Sequence, residues 1–142
     1  ALESIADQFK NRLKERKVDL VVGIESRGFI IATAIALKFK TGLAVIRKAG
    51  KLPGETIKKS YKVEYGNDIM EMQISALGKG LDVLIADDLI ATGGTAMASA
   101  KIVEQVGSRI VGFAFVIELD HLQGGRTLRN LGYDVASLVV YD

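Results

Sequence analysis

Two adjacent carboxylates, Asp87 and Asp88, follow the apolar run Val83-Leu84-Ile85-Ala86, and four residues beyond them comes Thr92-Gly93-Gly94-Thr95. Neighbouring carboxylates repel each other unless a cation, a sugar diol or water answers them. A Thr-Gly-Gly-Thr turn can wrap backbone N–H groups and two hydroxyls around a phosphate at the start of a helix. The spacing suits one ligand carrying both a diol and a phosphate. Taken alone, the turn reads equally well as a strand-to-helix connection with Thr as N-cap, and the acidic pair in front of it shifts the reading toward a ligand. Neither Gly-Lys-Ser/Thr nor GxGxxG occurs, so this is not a Walker or dinucleotide loop.

Cationic residues gather in two places: Arg27, in Glu25-Ser26-Arg27-Gly28, and the loop Arg47-Lys48-Ala49-Gly50-Lys51-Leu52-Pro53-Gly54. By itself the second is a solvated basic loop. His121 follows Asp120, but without a Gly-x-Ser-x-Gly elbow it reads as a surface or capping residue. The absence of Cys removes thiolate metal sites and disulfides, and leans the chain toward the cytoplasm. A net charge of +2 over 142 residues predicts neither nucleic-acid nor membrane binding. No apolar run approaches the ~20 residues of a membrane span.

The elements that must position these groups follow from period. Leu2, Ile5, Ala6, Phe9 and Leu13 predict a surface helix over the first sixteen or so residues. Val18 to Ile24 is a doubly buried strand, Phe29 to Lys40 a helix, and Leu43 to Ile46 a short strand. Tyr61, Val63 and Tyr65, then Met70, Met72 and Ile74, alternate about a Gly66-Asn67-Asp68 turn, which predicts a hairpin with one apolar face. On that alternation Lys59, Lys62 and Glu71 are exposed, and Met70 and Met72 are packing residues. Val83 to Ala86 is a strand, Asp87 to Gly94 a polar turn, and Thr95 to Val106 a helix closed by Gly107. Arg109 to Ile117 and Val135 to Val140 are further strands around a helix at Leu122 to Leu131. The sum is an α/β fold of one domain, 1–142: a mostly parallel twisted sheet with helices on both faces and an inserted hairpin flap within about 50–75.

The segment Asp87 to Thr95 resembles the phosphoribosyl pyrophosphate (PRPP) signature of type I phosphoribosyltransferases. Three more segments, Gly23-Ile24-Glu25-Ser26-Arg27-Gly28-Phe29, Ile46 to Gly54, and Tyr61-Lys62-Val63-Glu64-Tyr65-Gly66, narrow the resemblance to the adenine phosphoribosyltransferases, in that family's order. The resemblance implies a Rossmann-like fold and Mg²⁺-dependent transfer of phosphoribose from PRPP to adenine, giving AMP and pyrophosphate. It implies that Asp87 and Asp88 bind the ribose hydroxyls, with Mg²⁺ carried by PRPP nearby rather than held in a tight protein site. Ala91, Thr92, Gly93, Gly94 and Thr95 would hold the 5′-phosphate. Ser26, Arg27, Lys48 and Lys51 would meet the pyrophosphate, with Arg47 beside them in a catalytic role. Cations there are sensible because a leaving pyrophosphate gathers negative charge in the transition state. Glu64 matches the family's proposed general acid/base in the hairpin, Tyr65 is either a cap on that flap or core, and Leu119, after Glu118, is a wall for the base. A homodimer is also implied.

Family members carry a further hood segment before the first helix, and the 142-residue sequence opens at that helix. The expectation is a fully represented PRPP half and weakened base selection. A PRPP- or nucleotide-binding regulatory module and an inactive core fragment are the alternatives. A regulator of that kind should show an attached helix-turn-helix or a basic RNA-binding face, and neither stands out in the sequence.

Overall fold

The protein is described from a computed structural model, which covers the backbone of residues 1–63 and 66–142 and the side chains outside 61–67 and 74. Among the described residues, seven strands form one sheet in the order β3-β4-β2-β1-β5-β6-β7. The strands β1 (Leu20–Ile24), β2 (Gly42–Lys48), β5 (Asp82–Ile90), β6 (Arg109–Leu119) and β7 (Val135–Tyr141) run parallel. The hairpin β3 (Thr56–Val63) and β4 (Gly66–Gln73) is antiparallel and joins the sheet through pairing of β4 with β2, Ile46 opposite Met72 and Lys48 opposite Met70.

Helices α1 (Leu2–Arg12) and α2 (Gly28–Phe39) cover one face, and α3 (Gly94–Gln105) and α4 (Gly124–Asn130) the other. In α1, Ala6 and Phe9 face the core, while Glu3 in the first turn and Lys10 and Arg12 in the last suit the helix dipole. One core cluster joins Phe9, Val21, Ile35 and Leu84, and the other joins Val22, Ile85, Ile102 and Phe113. The strand β1 is buried along its whole length, as an apolar run between two helical layers must be.

This topology creates the crevice. β1 has β2 on one side and β5 on the other, so the chains leaving β1 and β5 diverge at their carboxyl ends, where ligands bind in open α/β sheets.

Three sequence expectations are corrected. The polar turn does not begin at Asp87: the ladder with β6 continues through Ile90 opposite Glu118, so both acidic residues belong to β5. Glu71 is not an exposed hairpin position but is 2% exposed, because both faces of β4 are covered at that point. The first helix is also shorter than sixteen residues, ending at Arg12. Met70 and Met72 are buried as expected.

Candidate active site

Asp87 lies at the end of β5, with 9% of its surface exposed, opposite Phe115 on β6. Its Oδ1 accepts the N–H of Asp88 at 2.8 Å. Burial, reinforced by the adjoining Asp88 carboxylate, pushes the Asp87 pKa up to about 8. The Asp88 carboxylate lies beside that of Asp87 in the same cleft, and Arg27 Nε lies 2.7 Å from Asp88. Gly28 makes this closeness possible: a Cβ there would stand 2.6 Å from Asp87 Oδ1 and 3.2 Å from the Ala86 carbonyl. The start of α2 therefore sits directly on the tip of β5.

The turn leaving β1 carries Glu25, Ser26 and Arg27, and the peptide between Glu25 and Ser26 is cis. Glu25 is the hub of the basic side. Its Oε1 accepts the Lys48 N–H at 2.8 Å and the Arg47 Nε–H at 3.4 Å, and its Oε2 accepts from the Lys51 ammonium. Burial alone would raise the Glu25 pKa, but the Lys51 ammonium, the Lys48 N–H and the Arg47 charge hold it below the usual range. Lys48 Nζ also lies 3.5 Å from Asp68 on β4.

A polar cleft of about 420 Å³ is lined by Glu25, Ser26, Arg27, Lys48, Lys51, Asp87, Asp88 and Leu89. It thus brings together six residues expected from the sequence. Arg47 does not line it: its side chain turns to Glu25, and its guanidinium lies over the Phe29 ring, 5.8 Å from the centroid. Leu119 is half-buried at the end of β6, one residue beyond the Ile90–Glu118 pair. His121 is exposed in a 3₁₀ turn, in line with its reading as a surface residue. Glu64 and Tyr65 lie outside the described residues.

The Ala91–Thr95 turn follows β5 directly. The N-cap of α3 is Gly93, at φ +91°, and no side chain caps the helix, so the ordinary Thr N-cap is not what shapes this turn. Only a residue at ease with positive φ holds that conformation without strain. Gly124 packs against the turn, its N–H donating to the Ala91 carbonyl at 3.0 Å. Behind it, Glu118 is 1% exposed and receives two bonds from Arg129, at 2.8 and 2.9 Å, and one from the Ser137 hydroxyl at 2.6 Å. The roles of Glu25, Glu71 and Glu118 as acceptors were not visible in the sequence. The one hint for Glu25 was its place beside Ser26 and Arg27.

Among the described residues, no three acidic or His side chains converge as metal ligands. The paired carboxylates fit Mg²⁺ in the manner usual for that ion, which takes one or two carboxylates and leaves its remaining positions to water and substrate phosphate. Asp87 and Asp88 are the side chains that would face it.

An open parallel sheet with an acid-tipped strand, a glycine turn and a basic rim at one crevice is the architecture of a phosphoribosyl transferase domain, and the chain matches that family over residues 1–139. The adenine phosphoribosyltransferase of Nitrosopumilus maritimus (strain SCM1) is 52% identical over 141 residues, covering 99% of this chain and 82% of the relative. The crystal structure of adenine phosphoribosyltransferase from Rhodothermus marinus DSM 4252 superposes with a TM-score of 0.94 at 43% identity, over 99% of this chain and 79% of that one. The Saccharomyces cerevisiae enzyme, complexed with an imino-altritol bisphosphate and adenine, gives 0.90 at 42% identity, over 96% and 78%. The chain belongs to the adenine phosphoribosyltransferase family.

Proposed function

We propose that this chain is a purine-salvage enzyme that transfers phosphoribose from PRPP to adenine, forming AMP and pyrophosphate. The observation that carries the reading is the single cleft shared by Asp87 and Asp88 with Arg27, Lys48 and Lys51. A diol-binding acidic pair beside a pyrophosphate-sized set of cations is what PRPP requires. In this reading the ribose hydroxyls donate to Asp87 and Asp88. The 5′-phosphate accepts from the N–H groups and hydroxyls of Ala91, Thr92, Gly93, Gly94 and Thr95. Ser26, Arg27, Lys48 and Lys51 take the pyrophosphate.

The bond from C1 of the ribose to the pyrophosphate oxygen breaks as the bond from C1 to the adenine nitrogen forms, and the purine gives up a proton to Glu64. Charge collects on the departing pyrophosphate, and preorganised cations stabilise it there. Arg47 acts from behind, through Glu25. Mg²⁺, bound with PRPP beside Asp87 and Asp88, would offset part of the pyrophosphate charge. Leu119 supplies an apolar wall for the base.

The same proposal takes residues 1–142 as one working domain, located in the cytoplasm, where its polyanionic substrates are retained. It also takes the protein as a homodimer. An apolar groove between α1 and α2, lined by Leu2, Ala6, Phe29, Ile30, Ala34 and Leu37, is a surface that a second copy would cover. Among the described residues no helix is long and apolar enough to cross a membrane.

The test is direct. Mixing the protein with PRPP, Mg²⁺ and each purine in turn should yield a nucleotide with adenine. If no base gives product while PRPP still raises the unfolding temperature, the protein is a binding module instead.

A further inference from the structure

Glu71 is a nearly fully buried carboxylate that the proposed reaction does not use. It lies on β4 opposite Arg47 of β2 and Lys58 of β3. Its Oε1 accepts three consecutive backbone N–H groups of the basic loop: Gly50 at 3.0 Å, Lys51 at 3.2 Å and Leu52 at 3.1 Å. Its Oε2 accepts the Thr56 hydroxyl at 3.1 Å, with Lys58 Nζ 4.0 Å away. Burial by itself would raise its pKa, but the N–H groups of Leu52, Gly50 and Lys51 and the Thr56 hydroxyl hold it low, so the group is anionic.

Successive N–H groups converging on one oxygen form an anion-binding nest, and here the protein fills the nest with its own carboxylate. A buried charge is costly unless it is paired or richly hydrogen-bonded. That cost is offset here by four hydrogen bonds, and three of them fix a glycine-containing loop that would otherwise be free to choose among conformations. Lys51 belongs to this loop, and its ammonium crosses to Glu25 in the cleft. The loop is therefore held from the hairpin through its backbone and from the turn after β1 through a side chain.

We propose that Glu71 is a positioning residue for the pyrophosphate half of the site: it locks the Gly50–Leu52 backbone so that Lys51 presents its charge to the cleft, and it ties the hairpin to that loop. The inference rests on the reading of the cleft as a PRPP site. Preorganised cations stabilise a developing anion without reorganising during the reaction, and a loosened loop forfeits that.

The test uses the full chain in the reverse direction, with AMP and Mg²⁺-pyrophosphate as probes, and compares Glu71→Gln, Glu71→Ala and Lys51→Ala. The Ala variant should raise the KM for pyrophosphate about tenfold, in keeping with a loss near 1.4 kcal/mol, and leave the KM for AMP within about twofold. The Gln variant keeps an acceptor oxygen and should fall between it and the parent. Combined with Lys51→Ala, Glu71→Gln should add little, because both act through one group. A parallel loss of AMP and pyrophosphate affinity, or full additivity with Lys51→Ala, overturns the inference while sparing the PRPP reading. If Lys51→Ala leaves the pyrophosphate KM unchanged, the reading of the loop fails and this inference fails with it.

Discussion

Arg27 Nε lies 2.7 Å from the Asp88 carboxylate, joining the turn after β1 to the tip of β5 across the mouth of the cleft. In the free protein, the cationic and acidic halves of the site thus neutralise each other. A ligand bearing both pyrophosphate and diol must part them, offering an anion to Arg27 and hydroxyls to Asp88.

Substituting Arg27 by Ala should therefore separate affinity from stability. The Arg27 side chain is 79% exposed, so the ion pair contributes under about 1 kcal/mol to folding, and the unfolding midpoint should barely move. The kcat/KM for PRPP should fall about a hundredfold or more, as expected when a donor to developing charge is lost. Steady-state kinetics beside a urea titration checks both, and a large stability loss with unchanged kinetics would refute this role.

Asp87 and Asp88 test the acidic half. Substituting both by Asn should abolish the thermal stabilisation conferred by PRPP with Mg²⁺. Asp87→Asn alone should make the free protein more stable at pH 8, because it removes a carboxylate that burial and Asp88 disfavour. Scanning calorimetry with and without ligand reads both effects. Unchanged PRPP stabilisation in the double variant would remove these residues from the site.

A pH profile of the free protein in chelator follows from the same group. The folded-state pKa of Asp87 is raised to about 8 from the ordinary carboxylate value of 3.8. The folded protein then holds a proton that the unfolded chain has released, and stability falls as pH rises from about 5 toward 8, by at most about 1.4 kcal/mol per pH unit. Glu25, Glu71 and Glu118 have lowered values, so their contribution is present above about pH 5 and is lost only as pH falls below it. The decline on the alkaline side should flatten in Asp87→Asn. Urea unfolding at a series of pH values measures it, and an equal slope in parent and variant would contradict the assignment.

The sheet, its helices and most of the cleft were legible in the sequence because strand burial, helix period and glycine turns are local signals. Asp87 and Asp88 stand out as an acidic pair ahead of a glycine turn, whereas Arg27, Lys48 and Lys51 are named through the family resemblance, since alone they read as surface cations. What escaped was set by pairings distant in sequence. Glu71 alternates as a solvent-facing residue would, and only the return of the Gly50–Leu52 loop over β4 buries it. Arg47 shares the basic segment with Lys48, but the register of β2 sets it over Phe29 and against Glu25, so it reaches the cleft only through that carboxylate. Glu118 gives no local sign of burial, because Arg129 and Ser137 reach it from α4 and β7.

The Ala91–Thr95 turn is backed by α4. Gly124 and Gly125 open α4 between that turn and the Glu118 carboxylate. A Cβ on Gly124 would come within 3 Å of Gly93 N and Thr92 C, and one on Gly125 would enter the Glu118 carboxylate. Gly124→Ala should therefore push the turn out of shape, costing about 1–3 kcal/mol as overpacking does. It should weaken AMP about tenfold or more while leaving pyrophosphate nearly unaffected, since Lys51 and Arg27 lie on the other side of the crevice. The clamp behind it should respond asymmetrically. Arg129→Ala strands the Glu118 charge in the core and should cost about 3–5 kcal/mol, whereas Glu118→Gln leaves a half-exposed Arg129 that water can reach and should cost less. Because Arg129 is the leading cause of the lowered Glu118 pKa, its removal should also shift acid unfolding to higher pH. Urea titrations and AMP binding by calorimetry separate these outcomes: equal losses of AMP and pyrophosphate in Gly124→Ala would mean that α4 supports the fold generally rather than the phosphate turn.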